Sequence, residues 1–156
     1  MTDVKRRVYF AAPLFTQAEW VWNARLAAEL RARGVEVLLP QETAAPMLND
    51  PSTFDARKLF ETNISDLAEA GVVLAVFDQA DPDSGTCWEC GYAYKAGYPI
   101  IGLRTDIRGG GDDPGKAVNL MLSQCCKEFV AVPLNKREDV AWVADQVVAK
   151  LEGAGD

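Results

Sequence analysis

The sequence predicts an α/β protein of flavodoxin-like or Rossmann-like architecture, a doubly wound five-stranded parallel sheet with helices on both faces. Three observations carry that prediction. Five short apolar runs rich in β-branched residues punctuate the 156 residues. Stretches with helical spacing separate those runs, and strand and helix alternate, the pattern of a parallel sheet covered on both sides. The length suits one domain, residues 1–156, and a chain of this size buries about 70% of its unfolded surface.

The strands are expected at Val8 to Ala12, Val35 to Leu39, Val72 to Phe77, Pro99 to Leu103 and Phe129 to Val132. Each is apolar at successive residues, as a strand buried on both faces must be. The helices are expected near residues 17–33, 54–69, 87–97, 115–125 and 137–151. Thr16 with Glu19, Thr86 with Glu89 and Asn135 with Glu138 have capping-box spacing, while Gly34 and Gly97 fall where helices stop. Gly91 inside the helix of the third strand-to-strand crossover costs about 1 kcal/mol relative to Ala, which implies a close neighbour against that turn. Arg108 to Gly115 reads as a glycine-rich loop, and the tail beyond Leu151 as a fraying end.

Sixteen Lys and Arg against 23 Asp and Glu give a net charge of −7 and a pI near 4.6. That is the wrong sign for nucleic acid or an anionic membrane as partner. No run approaches the roughly 18 to 20 apolar residues of a membrane span, and the charged stretch Met1 to Arg7 leads straight into a strand, so a cytoplasmic, untargeted protein is expected. There is no histidine. Acid–base chemistry near neutral pH therefore falls to carboxylates, tyrosine, cysteine or lysine.

In an open parallel sheet, ligands bind beyond the carboxyl ends of the strands, here Ala12 to Thr16, Pro40 to Thr43, Asp78 to Thr86 and Arg104 to Asp113. Gly110 to Lys116 has the spacing of a phosphate-binding loop, but position 117 is Ala where a magnesium-binding hydroxyl is needed. Asp112 and Asp113 would also set negative charge inside the cradle. Cys87 and Cys90 with Cys125 and Cys126 total four thiols, formally a zinc set, yet the adjacent second pair suits a tetrahedral site poorly. A redox dithiol at a helix start is physically possible, and small apolar core filling is the commoner fate of such residues.

The segment Asp81 to Ala93 is the most informative. Glu89 reads in two ways of comparable weight: as the third residue of a helix capped by Thr86, contributing about 1 kcal/mol, or as an ionised carboxylate in the first helical turn facing the ligand crevice, as glycosyl transfer requires.

Here the string Asp83, Gly85, Glu89, Gly91, Tyr92 and Ala93 resembles the nucleoside 2-deoxyribosyltransferase family, as do the opening loop Val8 to Thr16 and the stretch Gly115 to Met121. The resemblance implies that Glu89 is the nucleophile, attacking the anomeric carbon of a 2-deoxynucleoside and leaving a covalent deoxyribosyl ester. A second base then resolves the ester, with overall retention, by the logic of retaining glycosidases. It also implies that Asp83 contacts the base and passes a proton, that Tyr9 steadies the nucleophile, and that Gln41 reads the base edge. Ala11 and Phe15 fall in the opening substrate loop, and Gly85 in the turn before the glutamate. Asn119 would bind the sugar 5-hydroxyl of a neighbouring subunit's site, so a homo-oligomer is expected. Deoxynucleosides and free nucleobases are the implied partners, with no metal and no organic cofactor.

Asn63 departs from the family pattern, where an aspartate is common, and Gly71 stands where another Asp is common. An amide holds the sugar 3-hydroxyl or the base by hydrogen bonds but donates no carboxylic proton, so that transfer shifts to Asp83 or water, with Asp66 one turn further as a compensating group. Two alternatives stay open. One is an N-glycoside hydrolase of deoxynucleosides or their 5-monophosphates, for which Arg104 and Arg108 are the available cations; the other is a non-catalytic nucleoside or base sensor on the same fold.

Overall fold

The computed structural model describes residues 6–112, 115 and 117–154. Its strands are β1 (Arg7–Ala11), β2 (Glu36–Leu38), β3 (Val73–Val76), β4 (Ile100–Arg104) and β5 (Glu128–Ala131). All neighbouring pairs are parallel, in the order β2-β1-β3-β4-β5. That is the doubly wound, flavodoxin-like order expected from the alternation. The helices are α1 (Gln17–Ala32), α2 (Pro40–Asn49), α3 (Ala56–Ala70), α4 (Ser84–Ala96), α5 (Leu120–Cys125) and α6 (Val140–Ala154), with single 3-10 turns at Pro51–Thr53 and Leu134–Lys136.

Alternate strand residues feed two separate cores, because successive side chains point to opposite faces. Val8, Phe10, Leu74, Val76, Ile101, Leu103 and Val130 pack with Leu26 and Leu30 of α1 and Val143 and Val147 of α6. Tyr9, Ala11, Val73, Ala75, Phe77 and Ile100 pack with Leu67 of α3 and with Cys90 and Ala93 of α4. A fully buried side chain of the size of Leu74 or Phe77 contributes about 1.5–3 kcal/mol, so neither face is dispensable. The chain leaves β1 for α1 on one face and β3 for α4 on the other. The carboxyl ends of these adjacent strands therefore open a crevice at the topological switch point.

Several local expectations are corrected. The capping box at Thr16 and Glu19 forms as expected, with both reciprocal hydrogen bonds present. The one at Thr86 and Glu89 does not: Asp83 is the N-cap, its side chain accepting from the Thr86 amide, so α4 starts at Ser84 rather than Cys87. An aspartate three residues upstream wins because its carboxylate satisfies an orphan N–H and complements the helix dipole at once. Likewise Asn135 and Glu138 form no box; Asn135 lies within a 3-10 turn, and the carboxylate that accepts from the Trp142 amide at the start of α6 is Asp139.

The expected helix over 115–125 is only the single element Leu120–Cys125, capped by Asn119. Helix α2 is not among the expected elements; Pro40 occupies its first turn, where its missing N–H costs nothing, and Pro46 stands inside it. A Cβ built on Gly91 meets nothing within 4 Å, so no close neighbour explains that glycine. Gly97 ends α4 with φ of 80° and Gly34 follows α1 with φ of 82°, the left-handed stops expected of them. Helix α6 runs on to Ala154 where fraying was expected after Leu151. Met1 to Lys5, Asp113, Pro114, Lys116, Gly155 and Asp156 lie outside the described residues, and with them part of the glycine-rich loop and of the Gly115 to Met121 stretch. Among the described residues no helix is long and apolar enough to cross a membrane.

Candidate active site

The crevice between β1 and β3 is built around one hydrogen bond. Tyr9, fully buried on β1, donates its Oη proton to Glu89 Oε1 at 2.6 Å. Glu89 is the sixth residue of α4, not a first-turn residue, so the helix dipole, which acts mainly within the first turn, does not hold it ionised. Burial instead pushes its carboxyl up to about 7, against the Tyr9 hydrogen bond that favours the charged form, with the nearby negative charge of Asp83 adding to the rise. Tyr9 is itself driven well above the ordinary phenol range, by burial first and by the Glu89 and Asp66 charges after it, so it remains a donor. The pair is a partly exposed carboxylate with one oxygen pinned and its basicity raised, an arrangement suited to a nucleophile or a general base near neutral pH.

Asp83 and Gly85 shape the approach to that carboxylate. Asp83 Oδ2 accepts from the Thr86 amide at 2.8 Å and from the Thr86 hydroxyl at 3.1 Å. A Cβ on Gly85 would stand 3.1 Å from the same oxygen, so glycine leaves room for the cap. Preceding it, the β3–α4 loop is clamped to the end of β4. Buried Arg104 donates to the carbonyls of Phe77, of Gln79 at 3.1 Å and of Arg108 at 2.7 Å. Asp78 accepts from the Thr105 amide at 2.6 Å, the Thr105 hydroxyl at 2.5 Å and the Asp106 amide at 2.9 Å. Gln79 takes a left-handed φ of 77°, uncommon for a residue with a side chain, and its amide reaches across to Glu19 at 2.8 Å. The two loops flanking the crevice are thus tied together.

Helix α3 supplies the opposite wall. Asp66 is partly buried, its charge interacts with Tyr9, and burial, followed by the charge of Glu69, raises its carboxyl above the ordinary range. Asn63 lies one turn earlier, and its buried Oδ1 has no hydrogen-bond partner. Phe60, on the same helix, meets Trp88 edge-on at 5.6 Å, and Trp88 stacks on Tyr92 at 5.9 Å. Trp88 is 52% exposed, a flat apolar surface beside Glu89 in the chain.

The remaining expected residues divide. Gln41 is buried, its Oε1 accepting from Asn23 at 3.0 Å and its Nε2 donating to the Trp20 carbonyl at 3.1 Å; Asn23 in turn donates to the Pro13 carbonyl at 2.9 Å. The amide therefore braces the β1–α1 loop. Ala11 is fully buried beside Tyr9 on its face of the sheet, and Phe15 is 76% exposed at the rim of the opening loop. Asn119 is exposed and shares no hydrogen-bond partner with Glu89: its Oδ1 accepts from the Met121 amide at 2.9 Å and its Nδ2 donates to Asp112 at 3.1 Å. Asp112 also accepts from the Leu120 amide at 2.6 Å, so a carboxylate already fills the α5 terminus that a phosphate loop would need. Arg108 is committed to Asp106 at 2.9 Å, as Arg104 is to backbone carbonyls. Among the described residues no three His, Cys, Asp or Glu side chains converge to hold a metal. Asn23, Asp78 and the clamping role of Arg104 were not recognised in the sequence, although Asp78 and Arg104 fall within the crevice-forming stretches.

Comparison with known proteins agrees with this architecture. The sequence model described as nucleoside 2-deoxyribosyltransferase matches residues 8–121. No curated protein sequence matches. Among solved structures, a conserved protein from Enterococcus faecalis V583 superposes with a TM-score of 0.72 at 28% identity, over 92% of this chain and 99% of that one. A 2-deoxyribosyltransferase from Bacillus psychrosaccharolyticus follows with 0.69 at 24% identity, over 93% and 95%. A CMP N-glycosidase from Clostridium botulinum has a TM-score of 0.59 at 18% identity, over 90% and 98%. The last two likenesses are likenesses of fold.

Proposed function

The chain belongs to the nucleoside 2-deoxyribosyltransferase family, and on that premise we propose that it exchanges the base of a 2-deoxynucleoside through a covalent deoxyribosyl ester on Glu89. The observation that carries this reading is the 2.6 Å hydrogen bond from Tyr9 to Glu89, which joins the opening strand to the central motif at the switch point.

In the first half-reaction, the free oxygen of Glu89 bonds to the anomeric carbon while the N-glycosidic bond breaks, its electron pair leaving with the base. The missing 2-hydroxyl eases charge build-up at that carbon. A carboxylate whose conjugate acid sits at about 7 is both substantially ionised and more basic than an ordinary glutamate. Tyr9 fixes the other oxygen and spreads the charge as the ester forms. The departing nitrogen takes up a proton; Asp66, raised by burial, holds one more readily than an ordinary aspartate, while Asp83 has one oxygen engaged by Thr86. A nitrogen of the second base attacks the anomeric carbon from the face that the first base left, the C–O bond to Glu89 breaks with its electron pair returning to the carboxylate, and the incoming base gives up its proton, so two inversions give retention. Asn63 Oδ1, buried without a partner, is an acceptor for a sugar hydroxyl or a base N–H.

Nucleosides rather than 5-monophosphates fit this site, since Arg104 is buried with both terminal nitrogens on backbone carbonyls and Arg108 is paired with Asp106. Asn119, exposed at the start of α5 beside Met121, which is 74% exposed, is proposed to reach a neighbouring subunit's sugar in a homo-oligomer. Incubation with 2-deoxyinosine or thymidine, with and without adenine and beside Glu89→Ala, tests the reading. Deoxyadenosine formed only by the unsubstituted protein supports it. Free base released equally without adenine makes the protein a hydrolase, and binding without turnover makes it a sensor.

A further inference from the structure

Helix α4 carries a second reactive group on the side away from Glu89. Successive helical residues are about 100° apart, so Cys90 is turned from Glu89 toward α5 while staying in the core that holds Tyr9, and Cys87, one turn earlier, lies on the same flank. Helices α4 and α5 pack against each other, and Cys87, Cys90 and Cys125 line one apolar cavity of about 250 Å³ together with Tyr94, Met121 and Leu122. All four cysteines are free thiols. Cys90 is fully buried in the core on this face of the sheet, with Cys125 and Cys126 packed against the same cluster.

We propose that Cys90 and Cys125 form a reversible oxidation site, in which a peroxide converts the two thiols into a disulfide that staples α4 to α5. The geometry assigns the roles. Cys125 is partly exposed and lines the cavity, so a small hydrophilic oxidant reaches it before buried Cys90. Its sulfur receives thiol hydrogen bonds from Cys126 and from Cys90, which hold it below the ordinary thiol range. Cys90, hydrogen-bonded to Cys125 and buried, is held well above that range and remains a thiol until its partner is oxidised. The Cys125 thiolate attacks one oxygen of hydrogen peroxide, forming a sulfenic acid and releasing the other as hydroxide, which takes a proton from solvent. The Cys90 sulfur then attacks the sulfenic sulfur, the S–O bond breaks, and the Cys90 proton leaves with the hydroxyl as water. Two thiols and one peroxide yield one disulfide and two waters, so the electrons balance. The Sγ atoms of Cys125 and Cys126 lie 3.2 and 3.1 Å from the same Leu122 carbonyl, and the adjacency of these two residues in the chain disfavours a bridge between them.

The test treats the whole protein at pH 7 with a small excess of hydrogen peroxide, quenches with an alkylating agent, and maps peptides with and without dithiothreitol. The expected result is loss of two hydrogen atoms, reversed by dithiothreitol, with the peptides holding Cys90 and Cys125 joined. Cys125→Ser should slow peroxide consumption at least tenfold, whereas Cys87→Ser leaves it within twofold. Cys90→Ala, or Cys90→Ser if the alanine variant unfolds, should leave a sulfenic acid on Cys125 that dimedone traps. A bridge between any other pair, oxidation of Cys125 straight to sulfinic acid in the unsubstituted protein, or equal peroxide consumption by Cys125→Ser would overturn the proposal. None of these readouts depends on base exchange.

Discussion

The two flanks of α4 bury reactive groups in opposite ways. On one flank, Glu89 meets the Tyr9 hydroxyl and the charge of Asp83, and its proton affinity rises to about 7 chiefly through burial. On the other, Cys125 meets thiol donors, and its proton affinity falls. Both lie against the same core of the sheet, so burial alone does not decide the direction. What decides it is whether the neighbours donate hydrogen bonds to the charged form strongly enough to offset desolvation. One flank holds a carboxylate ready to lose its proton near neutral pH; the other holds a sulfur already inclined to lose it.

The largest effect expected is on the carboxylate flank. Glu89→Ala should lower base exchange by at least about a thousandfold while leaving the fold intact, as loss of a covalent nucleophile does. Chromatography of exchange products beside a far-ultraviolet dichroism spectrum checks both halves of that statement.

Glu89 also carries a stability cost. The folded protein keeps its proton to higher pH than the unfolded chain does, so the contribution of this group is fully favourable below about 4.5 and is lost as pH rises toward 7. Glu89→Gln should accordingly stabilise the protein at pH 8, by at most about 3 kcal/mol, and change little at pH 4. Urea denaturation at the two pH values measures it; an equal effect at both would show that the glutamate is not held protonated by burial.

Tyr9→Phe removes the donor that favours ionised Glu89. The exchange rate, which should rise with pH through about 7 in the unsubstituted protein, should have its inflection moved to higher pH. At pH 7 the rate should fall about tenfold or more, the scale of a hydrogen bond to a charged group. Asp83→Ala should cost about 1 kcal/mol of stability as a lost cap, and Asp83→Asn should recover most of it in thermal melts. If Asp83 also handles the base proton, the asparagine variant restores stability without restoring exchange.

Much of this arrangement was legible in the sequence. The five strands were readable because parallel strands covered on both faces need unbroken apolar runs, as in Val73–Val76. Helix α1 was readable because Thr16 and Glu19 had no competing cap nearby. Elsewhere competition defeated the local signal: Asp83 displaced Thr86, and Asp139 displaced Asn135, since an ionised cap outbids an amide or hydroxyl. Helix α2 was hard to read because it holds two prolines, Pro40 in the first turn, where it is tolerated, and Pro46 in the interior, where proline removes a hydrogen bond. Tyr9 and Glu89 were each visible through family resemblance, but the raised proton affinity of Glu89 depends on tertiary burial, which no spacing rule reports. The four thiols were grouped from the sequence, but the pairing of Cys90 with Cys125 was not legible there, because the two meet only through the packing of α4 on α5.

The central claim is that Glu89 bonds covalently to the sugar. Rapid mixing of the protein with a 2-deoxynucleoside in the absence of an acceptor base, followed by acid quench and peptide mass analysis, tests it most directly. The account predicts a deoxyribosyl adduct on the peptide containing Glu89, which disappears when adenine is added before the quench and never forms in Glu89→Gln. Base exchange that persists in Glu89→Ala, or an adduct on another residue, would contradict it.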